Sequence, residues 1–173
     1  MGFIVEDGTV VAGATSLAPV DYADEHFADR GYTAWSELSV EQKQVALIKA
    51  TDFLDRRYGG RWRGHVLGVE QELSWPRKGV YAFGERARPV AEDEIPSDIQ
   101  KATVELARRV VELDDLQPDT IPGTSAVKRE KVGPLEVEYA DAQLVSSPFY
   151  SAVVDLVRPY LRRHSGVVET VRA

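Results

Sequence analysis

Cysteine is absent from the chain, which removes disulfide scaffolds, cysteine nucleophiles and thiolate zinc sites together. Histidine is scarce, at three in 173 residues, too few for a histidine-rich metal centre. No apolar run approaches the roughly 18 residues a membrane-spanning helix needs. The N-terminus lacks the basic stretch of a secretory signal, and Glu6 stands where a myristoylation motif wants Ser or Thr. The expectation is a soluble protein of a reducing cytoplasm, without membrane contact. Neither Gly-x-x-x-x-Gly-Lys-Ser/Thr nor Gly-x-Ser-x-Gly occurs, so phosphate cradles and serine-hydrolase elbows lack support. No set of residues qualifies as catalytic, cofactor-binding or metal-ligating, and the reading is that the protein is not an enzyme. Positive charge is also short: 21 Lys and Arg face 28 Asp and Glu, a net charge of −7. A protein that grips nucleic acid by releasing counterions wants the opposite sign, at least locally.

What is present reads as globular. Hydrophobic residues at 43% and charged residues at 28% suit one domain with a single core. The pattern predicts a mainly α protein: a small helical bundle with a β-hairpin, a C-terminal helix and an extended tail. Residues 1–163 form one helical domain, and 164–173 a docking tail. Asp7-Gly8 is a hairpin turn signal between Phe3-Ile4-Val5 and Thr9-Val10-Val11. A first helix is expected over 18–30, with Ser16 as cap, Val20, Ala23 and Phe27 inside, and Gly31 as stop. Tyr32 and Trp35 fall in a linker. Ser39-Val40-Glu41-Gln42 is a capping box, followed by a stripe of Leu47, Ala50, Leu54 and Tyr58, widened by Val45, Ile48 and Phe53.

A third helix opens at Pro96 and carries Ile99, Ala102, Leu106, Val110 and Leu113 inward. Alternation over 126–140, broken at Gly133-Pro134, predicts a β-hairpin. The final helix follows a Ser147-Pro148 cap, with Phe149, Val153, Leu156, Val157 and Tyr160 on its face. Pro159 ends it near Arg158.

The glycine-rich stretch 59–95 shows no sustained period and is expected as a long structured loop. It carries Gly60-Arg61-Trp62-Arg63-Gly64 and Leu73-Ser74-Trp75-Pro76-Arg77-Lys78-Gly79. Three readings stay open for Trp62, Arg63, Trp75 and Arg77. The indoles can be core, with the arginines exposed; the set can be an assembly hot spot; or it can be a platform for single-stranded nucleic acid. Arg129 and Lys131 on the hairpin, with Val167, Val168 and Val171 in the tail, are further interface candidates, since a partner can pair a ribbon and cover an apolar tail. His26 reads as part of a solvated charged face. Glu92, Asp93 and Glu94 read as charges complementing a helix start rather than as metal ligands.

Tyr22 to Gly31, Trp35, and the run from Lys43 to Asp55 resemble a family of tailed-phage and prophage proteins. The likeness extends through Trp62-Arg63-Gly64, Leu73-Ser74-Trp75-Pro76-Arg77, Ile95-Pro96 and Lys101-Ala102-Thr103. Members often carry a DnaT-like single-stranded DNA-binding label. Val127 to Gly133 and Leu135 to Tyr139, with a helix like 151–162, are similar to head–tail connector adaptors of long-tailed phages.

The connector resemblance implies a ring of about twelve copies beneath the portal of a DNA-filled head. That ring lengthens the DNA channel and receives the next neck or tail-completion protein. Its segment 162–173 reaches the portal protein, and double-stranded DNA passes an acidic wall without sequence-specific binding. Such a subunit resides in the virion neck after assembly in the host cytoplasm. The DnaT-like label implies single-stranded DNA binding as the alternative.

Overall fold

The computed structural model describes residues 2–83, 87–113, 116, 129–132, 135–138 and 150–162. The helices are α1 (Val20–Ala28), α2 (Thr33–Ser36), α3 (Val40–Tyr58), α4 (Ser97–Leu113) and α5 (Ser151–Val157). Among the described residues the strands form three antiparallel pairs: β1 (His65–Val66) with β2 (Arg77–Lys78), β3 (Tyr81–Ala82) with β4 (Arg88–Pro89), and β5 (Arg129–Val132) with β6 (Leu135–Glu138). The architecture is mainly α, with small hairpins and a C-terminal helix. No helix among the described residues is long and apolar enough to cross a membrane.

The core is a stack in which α3 packs on α4 and α4 on α5. α3 starts where the capping box places it. The Gln42 N–H donates to the Ser39 hydroxyl at 3.3 Å and the Ser39 N–H to Gln42 Oε1 at 2.8 Å, so two orphan amides are satisfied. Leu47, Ala50, Phe53, Leu54 and Tyr58 are buried, but Val45 is exposed and Ile48 half-buried, so the buried stripe is narrower than expected. On α4, Ile99, Ala102, Leu106 and Val110 are buried, while Leu113 at its last position is exposed. Pro96 lies just outside α4; its carbonyl accepts from the Ile99 and Gln100 amides. α5 begins at Ser151, and a 3-10 turn at Arg158–Tyr160 takes over at Pro159, where a missing N–H ends an α-helix. The hairpin register pairs Val132 with Leu135 across Gly133-Pro134. The cap at 147–148, Phe149 and the tail 164–173 lie outside the described residues.

Three expectations near the N-terminus are corrected. Asp7-Gly8 does not turn a hairpin. The buried Glu6 carboxylate instead accepts from the N–H groups of Gly8 (3.0 Å), Val10 (3.0 Å) and Val11 (2.9 Å), winding the arm into a loop. Three donors on one charged acceptor outcompete a two-stranded ribbon, which is marginal alone. α1 is shorter than expected, with Pro19 rather than Ser16 at its cap. The Ser16 hydroxyl donates to the Ala18 carbonyl. Trp35 is no linker residue: it is buried in α2, 4.8 Å from the Phe27 ring, and its indole N–H donates to Asp24, which also pairs with Lys43 at 3.0 Å.

His26 is likewise not solvated. It is buried on α1, its Nε2 is 3.3 Å from Glu105 Oε1 on α4, and its ring meets Phe27 edge-on. Burial, opposed by the Glu105 hydrogen bond, lowers its pKa. Periodicity cannot detect a partner 79 positions away. Glu92, Asp93 and Glu94 are exposed ahead of α4.

Replacing Glu6 with alanine strands the Gly8, Val10 and Val11 amides. A loss of about 2 kcal/mol is expected, read as a lower urea midpoint at unchanged slope.

Candidate functional site

The glycine-rich stretch is organised from inside by Arg77. Its Nε donates to the Arg63 carbonyl at 2.7 Å, Nη1 to the Ser74 carbonyl at 3.0 Å, and Nη2 to the Gly64 carbonyl at 3.0 Å. A planar guanidinium presents its donors in a fixed fork, so one side chain ties three points of an irregular backbone. Arg77 is buried, and that burial, seconded by the Arg162 charge and opposed by Asp55, lowers its pKa. Asp55 accepts from the Ser74 amide at 3.1 Å, and burial raises its carboxyl above the usual range. Gly64 has φ +64°, and a Cβ there would lie 2.2 Å from the Lys78 carbonyl oxygen, so the β1–β2 approach requires glycine.

Behind this backbone lies a run of rings. Tyr58, Trp62, Trp75 and Tyr160 follow one another at centroid distances of 5.7, 5.8 and 5.8 Å. Both indoles are fully buried, so each serves as packing bulk. Tyr160 fixes the C-terminal turn to α4 by donating its hydroxyl to Asp98 at 2.9 Å; burial and that bond push its pKa up to about 12. The turn is also laced to the loop. Arg63 N–H donates to the Tyr160 carbonyl, Phe83 N–H to the Pro159 carbonyl, and Arg162 N–H to the Arg61 carbonyl.

The outward side of the same assembly is basic and aromatic. Tyr81 and Phe83 are 54% and 44% exposed, while Ala82 between them is buried. The Arg63 guanidinium lies 4.1 Å from the Phe83 ring centroid, and its Nε donates to the Leu161 carbonyl at 2.9 Å. Arg63, Gly64, Gly79, Tyr81, Phe83 and Arg162 line an open groove of about 400 Å³. The segments meeting here, 59–66, 77–83, 88–89 and 158–162, contain Arg61, Arg63, Arg77, Lys78, Arg88, Arg158 and Arg162 and no Asp or Glu. All but Arg63 and Arg77 are exposed. On a chain of net charge −7, that is strong segregation.

The sequence-predicted candidates therefore divide. Trp62 and Trp75 are core and unavailable for stacking on a base. Arg77, expected to be exposed if the indoles were core, is buried with them. Arg63 alone reaches the groove. β5 carries Arg129 and Lys131, whose side chains lie outside the described residues, as do Val167, Val168 and Val171. Sequence reasoning missed Tyr81, Phe83, Lys78, Arg88 and Arg162. Two signals could have found them: the alternation of Tyr81-Ala82-Phe83, and the lack of acidic residues in segments that the fold joins. Among the described residues no cluster of His, Asp and Glu could hold a metal.

Over residues 1–173 the chain matches the family described as "Putative DnaT-like ssDNA binding protein", and it belongs to that family. No curated protein and no solved structure matches it.

Arg77→Lys removes the fork that joins three carbonyls. It is expected to lower stability by about 2 kcal/mol or more, measured by urea unfolding, with tryptophan emission shifting towards the red as the indoles gain water.

Proposed function

We propose that this member of the DnaT-like family binds single-stranded DNA on the face formed by Arg63, Lys78, Tyr81, Phe83 and Arg162, and that its role is binding rather than catalysis. The observation that carries the reading is the pair of exposed rings beside a groove that, among the described residues, is lined without Asp or Glu on an otherwise acidic chain. A single strand offers π-faces and phosphates together, and such a face meets both: rings stack on bases while guanidinium and ammonium groups draw in the backbone. The remainder of the chain holds all 28 Asp and Glu, and its net negative charge disfavours phosphate there. Duplex DNA, with its bases stacked inside, offers the rings nothing.

The reading is tested by anisotropy of a labelled oligothymidylate at low salt. Binding that weakens steeply with added salt is expected, and Lys78→Glu with Arg162→Glu should cost about tenfold or more in affinity with the helical circular dichroism unchanged. No binding at low salt, or binding indifferent to the double charge reversal, overturns it.

A second reading is the head–tail connector subunit. It is favoured by the likeness of residues 127–139 to connector adaptors and by a groove between α3 and α4. Leu38, Val45, Ala46, Val110 and Val111 line this groove together with Glu41, Gln42 and Lys49, and Val40 and Leu113 are exposed on the same helices. Neighbouring copies in a ring would cover such a surface, with Arg129, Lys131 and the valines at 167, 168 and 171 meeting the portal or the next neck protein. On this reading the protein ends in the virion neck after assembly in the host cytoplasm. Light scattering and negative-stain micrographs should then show closed rings, alone or with portal. Deleting 164–173 should abolish attachment to portal-bearing heads. A protein that stays monomeric with and without portal removes this reading.

A further inference from the structure

Tyr81 and Phe83 stand two residues apart on one face of β3 and its continuation, with Ala82 turned into the core between them. Residues i and i+2 of a strand are separated by about 6.6 Å, twice the ~3.4 Å rise between stacked bases of one strand. The two rings therefore cannot each hold one of two bases that remain stacked on each other. They can each hold one only if the polynucleotide is drawn out so that neighbouring bases part.

The surroundings of Phe83 fit that use. The Arg63 guanidinium lies 4.1 Å from the ring centroid and is itself anchored through Nε to the Leu161 carbonyl, while Phe83 stays exposed. The Phe83 backbone is tied to Pro159, so the ring sits on a fixed support rather than on a free loop. Among the described residues the Arg63 side chain donates through Nε, which leaves its terminal nitrogens to a phosphate, and Arg162 lines the same groove. Two exposed rings on backbone positions about twice the base-stacking rise apart, with Arg63 and Arg162 lining the same groove, supply the parts that a base, a phosphate and a second base would use.

We infer that the groove holds an extended dinucleotide step of single-stranded DNA, one base on Tyr81 and the next on Phe83, with the phosphate between them on Arg63 and Arg162. This rests on the single-strand reading above and adds a register to it. The site thereby parts a pair of stacked bases as it binds. Its grip is indifferent to base identity, since every base has a π-face.

The probe is an oligothymidylate carrying two adjacent 2-aminopurines, whose stacking produces an exciton-coupled circular dichroism band. Addition of the protein is expected to collapse that band as the oligonucleotide binds, and anisotropy follows binding independently. Tyr81→Ala and Phe83→Leu should each weaken binding about fivefold or more and restore the band in the bound state, while Tyr81→Phe keeps both properties. Both positions are exposed, and unchanged helical circular dichroism shows the variants folded. If the oligonucleotide binds in a salt-dependent way and the ring substitutions weaken it but the band persists, the two-base register is wrong and the single-strand reading survives; if neither ring substitution matters, the stacking face falls with the register. If no oligonucleotide binds at low salt, both fall.

Discussion

One buried guanidinium underlies the part of the molecule that matters most. Arg77 donates to the carbonyls of Arg63, Ser74 and Gly64, and these three bonds give shape to a stretch with little regular structure of its own. Two-residue strands cannot hold each other in water. The β1–β2 pair persists because the segments before each strand are tied to one rigid fork and backed by the ring stack of Tyr58, Trp62, Trp75 and Tyr160. The same stack receives the C-terminal turn, so loop and C-terminal helix become one unit. The groove on the outside is a product of this internal arrangement.

That arrangement splits a single sequence feature into two physical roles. Trp62-Arg63 and Trp75-Pro76-Arg77 look alike as strings of an indole followed by a cation. In the fold the indoles go in, Arg77 follows them, and Arg63 comes out beneath Phe83. Alternation explains the first division, since neighbours on an extended chain face opposite ways. The fate of Arg77 depends on three backbone carbonyls converging at one place, which is a tertiary event. The exposed rings come from Tyr81 and Phe83, residues without an arginine or lysine at either side. The DnaT-like family to which the chain belongs carries a name that speaks of single-stranded DNA, and these two rings, rather than the tryptophans, suit that name.

Legibility followed the range of the interactions. The start of α3, the inner faces of α3 and α4, the hairpin over 129–138 and the stop at Pro159 were readable because each rests on neighbours within a few positions. The N-terminal arm was misread because the Asp7-Gly8 turn preference lost to Glu6, whose carboxylate collects three amides. His26 was misread because Glu105 and the fold bring it a partner from another helix. Of the groove's side chains, only Arg63 stood among the candidates for a stacking platform beforehand. Its other members come from segments far apart in the chain, brought together by the Trp62–Leu161 bridge and the bonds of the C-terminal turn.

The separation of charge bears on how copies of this protein meet each other. A chain of net charge −7 that gathers Arg61, Lys78, Arg88, Arg158 and Arg162, all exposed, in neighbouring segments without Asp or Glu separates its charge along the sequence and in the fold. In dilute buffer two such bodies attract when the cationic pole of one approaches the anionic flank of another, a polar head-to-tail alignment without a closing symmetry axis. At physiological ionic strength the screening length shortens to about 8 Å and that attraction fades. Crowding such molecules at low salt would thus favour chains and gels over discrete assemblies, and a polyanion occupying the cationic pole would dissolve them.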